Sequence, residues 1–320
     1  MRAQSAAFVF ALTALHGPAH AQDYPAKPIT YVVPYTAGAS TDTVARIFAQ
    51  RLRLGRPLVI ENRPGAASAI GAAHVARAPA DGYTLLHATS STLSINVTLF
   101  KKLPYDPARD FVPVALVATV PFMLVINPAL PIHSMADFLA HAKSKPGTLS
   151  FASSGPGSAA HLLMEFVRSM AGIDVTHVPY RGITQGLSDV VAGHVSMMFG
   201  DVGSALALVR AGKVRALGIT TAQRNDAAPD IAPLADGLPG YDAAAWHMVV
   251  APAATPAAIV ERLNAGFHAV ARDADVRKLF VGRGMGAIAT PPVAELKRYV
   301  AAETARWGKV VTQAGLAGSE

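Results

Sequence analysis

Short apolar runs bounded by Pro, Gly or Asn alternate along this chain with longer stretches whose apolar residues recur every three or four positions. Ile29–Val33, Leu58–Ile60 and Tyr83–His87 have the run length of buried strands. Between them Val44, Ile47, Phe48 and Leu52 fall on one helical face, with Arg46, Gln50 and Arg53 largely away from it. This alternation predicts an α/β fold with parallel layers.

A second set follows: Met123–Ile126, Leu149–Ala152, Val175–Val178, Val195–Phe199 and Arg215–Ile219 as strands, with helices over Ala159–Ala171, Ile183–Ala192 and Ser204–Ala211. Ser134-Met135-Ala136-Asp137 has the spacing of a capping box, with Asp in place of Glu. The C-terminal part returns to one strand, Trp246–Val250, then long helices over Pro256–Arg272 and Val293–Ala314. Tyr31-Val32-Val33-Pro34-Tyr35 is echoed by Thr176-His177-Val178-Pro179-Tyr180, as two similar α/β lobes would give. Proline interrupts the pattern at Pro113–Pro121 and Asp230–Pro239, the expected crossovers.

Composition narrows the class. Hydrophobic residues make up 51% of the 320, enough for a sizeable core. Arg2, the apolar run Ala6–Leu15 and Ala19-His20-Ala21 form a secretory leader, so the mature chain is expected in the periplasm from Gln22. No later stretch is long and apolar enough to span a membrane. Without cysteine there is no disulfide to make, and the core must stand alone. The net charge of +7 comes from scattered Lys and Arg without a basic stripe, which reads as attraction for anions and not as a nucleic-acid surface.

The candidate chemistry lies in small polar loops. Tyr35, Thr36, Ala37, Gly38, Ser40, Thr41 and Asp42 join a strand to a helix. Ser153, Ser154, Gly157, Ser158 and His161 do the same further on, and Thr89 and Ser90 follow a third strand. Such loops leave backbone N–H groups open at helix N-termini beside hydroxyls, where an anion satisfies both. In parallel sheets they gather beyond the carboxyl ends of the strands, where ligands bind. Plain capping accounts for any one of them, but not for three on one side. Tyr180 and Arg181 follow a further strand, and Asp201 either faces the pocket or caps the next helix.

Rival chemistries are thin. Gly155-Pro156-Gly157-Ser158-Ala159-Ala160 has dinucleotide-fingerprint spacing, yet Asp174 precedes the next strand where the ribose-binding acid should follow it. There is no G-x-S-x-G, H-E-x-x-H or P-loop. Past the leader no histidines have metal-ligand helical spacing, so neither metal nor cofactor is expected.

At these loops the chain resembles the extracytoplasmic Bug-type receptors of tripartite tricarboxylate transporters, from about Tyr24 to Leu316. The stretches that carry the resemblance are Tyr24-Pro25-Ala26-Lys27-Pro28-Ile29, Val32-Val33-Pro34-Tyr35, Glu61-Asn62-Arg63-Pro64-Gly65 and Asp81-Gly82-Tyr83-Thr84-Leu85-Leu86. Pro104-Tyr105-Asp106, Phe151-Ala152-Ser153, Val178-Pro179-Tyr180-Arg181-Gly182 and Trp307-Gly308-Lys309-Val310 follow in the same order. The resemblance implies a two-lobed periplasmic-binding-protein (Venus flytrap) α/β fold with two crossover segments. One lobe would be residues 22–120 plus 240–320, the other residues 121–239. It also implies a carboxylate held at Tyr35–Asp42 through backbone N–H groups and waters, with Thr89, Ser154, Ser158, His161 and Tyr180 lining the rest. The chain departs from the family at Ala37-Gly38-Ala39-Ser40, where paired glycines are usual, at Leu93 in place of histidine, and at Gly200-Asp201 in place of Asp-Asn.

Three functions fit: a receptor delivering a small carboxylate to integral-membrane transporter subunits, a periplasmic hydrolase or isomerase on a related fold, and a ligand-loaded partner of a membrane sensor such as a sensor kinase. The receptor reading expects a monomer without catalytic residues. Carboxylate-dependent melting without product separates it from the enzyme.

Overall fold

Tyr31, Val32 and Val33 are completely buried on β1 (Ile29–Val33), which lies inside a sheet between β2 (Leu58–Asn62) and β3 (Thr84–Thr89). Both neighbours run parallel to it, with Val33 in register with Asn62 and Thr30 with Thr84. The structure, a computed structural model, describes residues 24–38 and 40–320. The leader expected at residues 1–21, and Ala39 of the first turn, lie outside the described residues. The helix Ser40–Arg51 buries Val44, Ile47 and Phe48, while Arg46 and Gln50 stay exposed, as its periodicity requires.

The first sheet is mixed, not purely parallel. Its order is β11–β4–β10–β3–β1–β2, where β4 is Phe111–Val120, β10 is Ala245–Pro252 and β11 is Gly286–Ala287. β10 runs antiparallel to both β3 and β4. The stretch Pro113–Pro121, expected as a crossover, is mostly the body of the ten-residue strand β4. Pro113 pairs with Val250 just past a register shift, where the missing N–H interrupts no regular ladder. The Val114 carbonyl is taken instead by Asn264 Nδ2 at 2.7 Å.

Only Pro121 separates β4 from β5 (Phe122–Ile126), so one extended segment leaves the first sheet and enters the second. The second sheet has the order β7–β6–β8–β5–β9. Here β6 is Ser150–Ser153, β7 is Thr176–Pro179, β8 is Met197–Asp201 and β9 is Arg215–Ile219. β6 runs parallel to β7 and β8, whereas β5 runs antiparallel to β8 and β9. The chain returns after Ala243, whose N–H still bonds Thr220 O at 2.9 Å, and enters β10 at Ala245. Buried Thr220 fastens the two passages together, since its hydroxyl accepts the Phe122 N–H at 3.0 Å.

Local chemistry sets the helix ends. Ser134 Oγ accepts the Asp137 N–H at 3.0 Å, and Asp137 reaches back to the His133 N–H at 3.0 Å, one residue earlier than in a capping box. The expected helix Pro256–Arg272 is Ala257–Arg272, with a second helix, Ala274–Val281, capped by Asp273. The last helix, Val293–Gln313, lies against the first sheet and also reaches the second lobe, where Ser169 Oγ donates to Gln313 Oε1 at 2.6 Å. Among the described residues no helix is long and apolar enough to cross a membrane.

Candidate functional site

The turn after β1 is built around a buried carboxylate. Asp42 Oδ2 accepts the Gly38 N–H at 2.9 Å and Arg46 Nε at 2.8 Å, while Oδ1 accepts Asn62 Nδ2 at 2.9 Å. Asn62 Nδ2 also reaches Tyr35 O at 3.1 Å. Burial alone would raise the Asp42 pKa, but the bonds from Arg46, Gly38 and Asn62 outweigh it and lower the group below its ordinary value. Asp42 is thus the internal acceptor of the turn, and Gly38, at φ +84°, has its N–H turned inward. Thr36, Ala37 and Ser40 are exposed at the rim, and Thr41 is buried beneath them.

A chain of hydroxyls runs from this turn into the first lobe. Tyr35 OH meets Thr89 Oγ1 at 2.8 Å, Thr89 Oγ1 lies 3.2 Å from Thr92 Oγ1, and Thr92 Oγ1 lies 2.9 Å from Ser68 Oγ. Ser90 is buried and opens a single π-turn, Ser91–Ile95, a local irregularity often found at functional sites. β1 and β3 end side by side, so their loops share one end of the sheet.

In the second lobe the loop after β6 is held by two imidazoles. Ser153 Oγ donates to Gly155 O at 3.0 Å, accepts the Gly155 N–H at 3.1 Å and lies 2.6 Å from His177 Nε2. That last distance suits a nucleophile and its base. Ser153, however, is completely buried with its hydroxyl engaged by Gly155, so it fixes a turn and offers no attacking oxygen to solvent. His161 Nδ1 accepts the Gly157 N–H at 3.1 Å, and the His161 and His177 rings stack at 3.8 Å and 7°. Burial and the neighbouring His161 lower the His177 pKa to about 4. Ser158 caps the helix Ala159–Ala171, its Oγ accepting the His161 N–H at 3.4 Å. Among the described residues no acceptor takes the N–H groups of Ala159 and Ala160 at that N-terminus.

The other candidates divide. Desolvation, together with the bond that Tyr180 OH donates to Asp189 Oδ2 at 2.7 Å, pushes the Tyr180 pKa up to about 12. Ser154 is half-buried in the second-lobe loop and Arg181 is exposed. Asp201 caps the helix Val202–Arg210 through Ser204, at 3.0 Å to its N–H and 2.8 Å to its hydroxyl. Asn62, Ser68 and His177 lie outside the candidate loops, whereas Thr92 closes the Thr89–Thr92 run of the third one. Asn62 had a signal, since it lies in Glu61-Asn62-Arg63, but β2 was expected to stop at Ile60 and therefore short of the turn. His177 sat in the echoed strand and was read only as strand.

The two lobes touch beside these loops. Gly157, buried and at φ +66°, lies against Leu99 in the helix Asn96–Leu99, just past the π-turn of the first lobe. Two α/β lobes joined by two extended passages, with polar loops at the carboxyl ends of parallel strands in each, define a two-lobed solute-binding protein. A family model described as tripartite tricarboxylate transporter family receptor matches residues 44–316. The chain belongs to that family.

Protein BugT of Bordetella pertussis is 36% identical over 315 residues, covering 96% of this chain and 95% of that one. The solved structure of Rpa4515 from R. palustris with adipate superposes with a TM-score of 0.81 at 36% identity, covering 92% of this chain and 99% of that one. MatC from Rhodopseudomonas palustris, with bound malate, gives a TM-score of 0.77 at 34% identity, covering 90% of this chain and all 100% of that one.

Proposed function

We propose that this receptor closes its two lobes on a small dicarboxylate in the periplasm and hands it unchanged to the integral-membrane subunits of a tripartite tricarboxylate-type transporter. The observation that carries the reading is the chemistry of the loops. Their donors are hydroxyls and backbone N–H groups at helix N-termini, and their one buried carboxylate, Asp42, is turned inward and neutralised by Arg46, Gly38 and Asn62. The ligand class follows from the relatives solved with adipate and with malate, both dicarboxylates.

In this reading the moving bodies would hinge at Pro121 and at the passage from Ala243 to Ala245, with residues 241–243 travelling with the second lobe, since Tyr241 OH donates to Leu163 O at 3.1 Å and the Ala243 N–H to Thr220 O at 2.9 Å. Both sets of donors belong to one chain, so a monomer suffices. The leader would be removed after Ala21, leaving Gln22 as the first residue.

Each charge-assisted hydrogen bond contributes about 1.5–3 kcal/mol, and each helix N-terminus about 0.3–1 kcal/mol. Four or five such contacts, less the cost of closing, correspond to about −8 kcal/mol and roughly micromolar affinity. Neutral donors also let the cargo go. Calorimetry of the purified chain with adipate, malate and acetate tests the reading. One dicarboxylate bound per chain with no product by mass spectrometry is expected; chemical conversion, or acetate bound as tightly as the diacids, overturns it.

A further inference from the structure

His161 is nearly buried, so its ring is not an open wall of the ligand cleft. Its Nδ1 accepts the Gly157 N–H at 3.1 Å, which requires a lone pair on Nδ1 and places the ring proton of the neutral form on Nε2. Nε2 faces Glu165 Oε1 at 3.6 Å, and Arg168 Nη1 clamps that carboxylate at 2.7 and 2.9 Å. Burial would raise the Glu165 pKa, but His161 and Arg168 lower it, so an anion stands behind Nε2 and favours this tautomer. On its flat side the ring is stacked on His177, which in turn contacts Ser153 of the same loop. His161 is therefore held on three sides and presents one acceptor to one backbone N–H.

That N–H belongs to the residue at which the lobes touch. A Cβ placed on Gly157 would overlap Leu99 Cδ2 and stand 3.1 Å from Cδ1, so only glycine seats there. Leu99 sits in a fastened segment. It is buried, and the C-terminal residues clasp its segment through Gly318 N to Thr98 O at 3.0 Å, Glu320 N to Leu99 O at 3.2 Å and Lys101 N to Glu320 O at 2.9 Å.

We infer that His161 is a positioning residue for lobe closure: its Nδ1 holds Gly157 at the height that lets the second-lobe loop seat on Leu99. This rests on the receptor reading above. It assigns His161 a task other than touching the ligand. The charged and titratable groups around the ring are Glu165 and Arg168 on its own helix, His177 on β7, and Asp174, which reaches Arg168 Nη2 at 3.5 Å.

The test compares the wild type with His161→Asn and His161→Leu. Asn carries Oδ1 near the position of Nδ1 and accepts the same N–H; Leu accepts nothing. Calorimetry with adipate and malate at one neutral pH, with circular dichroism to confirm folding, is one arm. Dipolar distance measurement between spin labels at Lys102→Cys and Lys213→Cys, one exposed position in each lobe of a chain without cysteine, is the other. His161→Leu should bind at least tenfold more weakly than the wild type with a longer inter-lobe distance, and His161→Asn should recover most of the affinity and the wild-type distance. Leu binding like the wild type, or Asn as weak as Leu, overturns the inference and leaves the receptor reading intact. If the wild type binds neither acid, the receptor reading fails for these acids. The distances then decide alone: a more open His161→Leu supports the inference, and equal distances in all three overturn it.

Discussion

Asp42 and Asn62 meet at 2.9 Å at the mouth of the first lobe, a carboxylate from the first turn of a helix against an amide from the last residue of the neighbouring strand. Through this pair the turn after β1 is tied to β2, and Gly38 and Arg46 close around the same carboxylate. Removing it should loosen the turn before it loosens the fold. Asp42→Ala is expected to cost about 1–3 kcal/mol of stability, the penalty for stripping partners from buried polar groups. It should also weaken dicarboxylate binding. Urea unfolding and calorimetry on the same variant check both, and unchanged affinity would show that the turn does not touch ligand.

Tyr35→Phe removes only the hydroxyl that meets Thr89 Oγ1 at 2.8 Å. One neutral hydrogen bond within the lobe contributes about 1 kcal/mol to stability, so the melting temperature should fall by roughly 1–3 °C while affinity changes by less than about fivefold. A larger loss of affinity would mean that the phenol contacts the ligand itself.

Two glycines allow a direct comparison. Gly38 has open space where a Cβ would go, so Gly38→Ala should show only the strain of a left-handed Ala, about 1 kcal/mol. Gly157→Ala must push Leu99 aside at the lobe contact as well. Its loss of affinity should exceed that of Gly38→Ala by at least tenfold, measured by calorimetry at one pH. The reverse order would place the tighter constraint on the first lobe.

Acid should destabilise the first lobe through its buried imidazoles. Tyr31 OH contacts His87 Nδ1 at 2.6 Å, and His87 Nε2 contacts His247 Nδ1 at 3.1 Å. Burial lowers His247 to about 4, and burial together with His247 lowers His87 well below 6.5. Folded pKa values below the unfolded value mean that the unfolded chain binds more protons. Stability is therefore complete above about pH 6.5 and declines as pH falls toward 4. For His247 alone the full shift corresponds to about 3 kcal/mol. A melting temperature that stays level between pH 7 and pH 5 would contradict this.

Mass spectrometry of periplasmic protein should find Gln22 at the N-terminus, following the A-x-A site at Ala19–Ala21. Protein that keeps Met1 would refute the leader.

Periodicity and loop composition by themselves settled the α/β class, the strands other than β4 and β11, the longer helices, and the loops that carry hydroxyls and open N–H groups. They could do so because burial along one element repeats every two or 3.6 residues and is written locally. Strand direction was not written locally. Ala245–Pro252 is as apolar as a parallel strand, and only its entry after the second passage runs it antiparallel to β3 and β4 and makes the first sheet mixed. Nor was the use of each donor. The Gly38 N–H looked open until folding brought Asp42 beneath it and Asn62 across from the next strand. His161 fits a cleft wall or a satisfied core histidine from sequence alone; His177, 16 positions on, stacks against it, and the same His177 meets Ser153 across 24 residues of chain. Those pairings join residues that share no period. Which N–H remains for a ligand and which is spent holding a loop is decided by packing in three dimensions, because each buried donor must find its acceptor wherever the fold puts one.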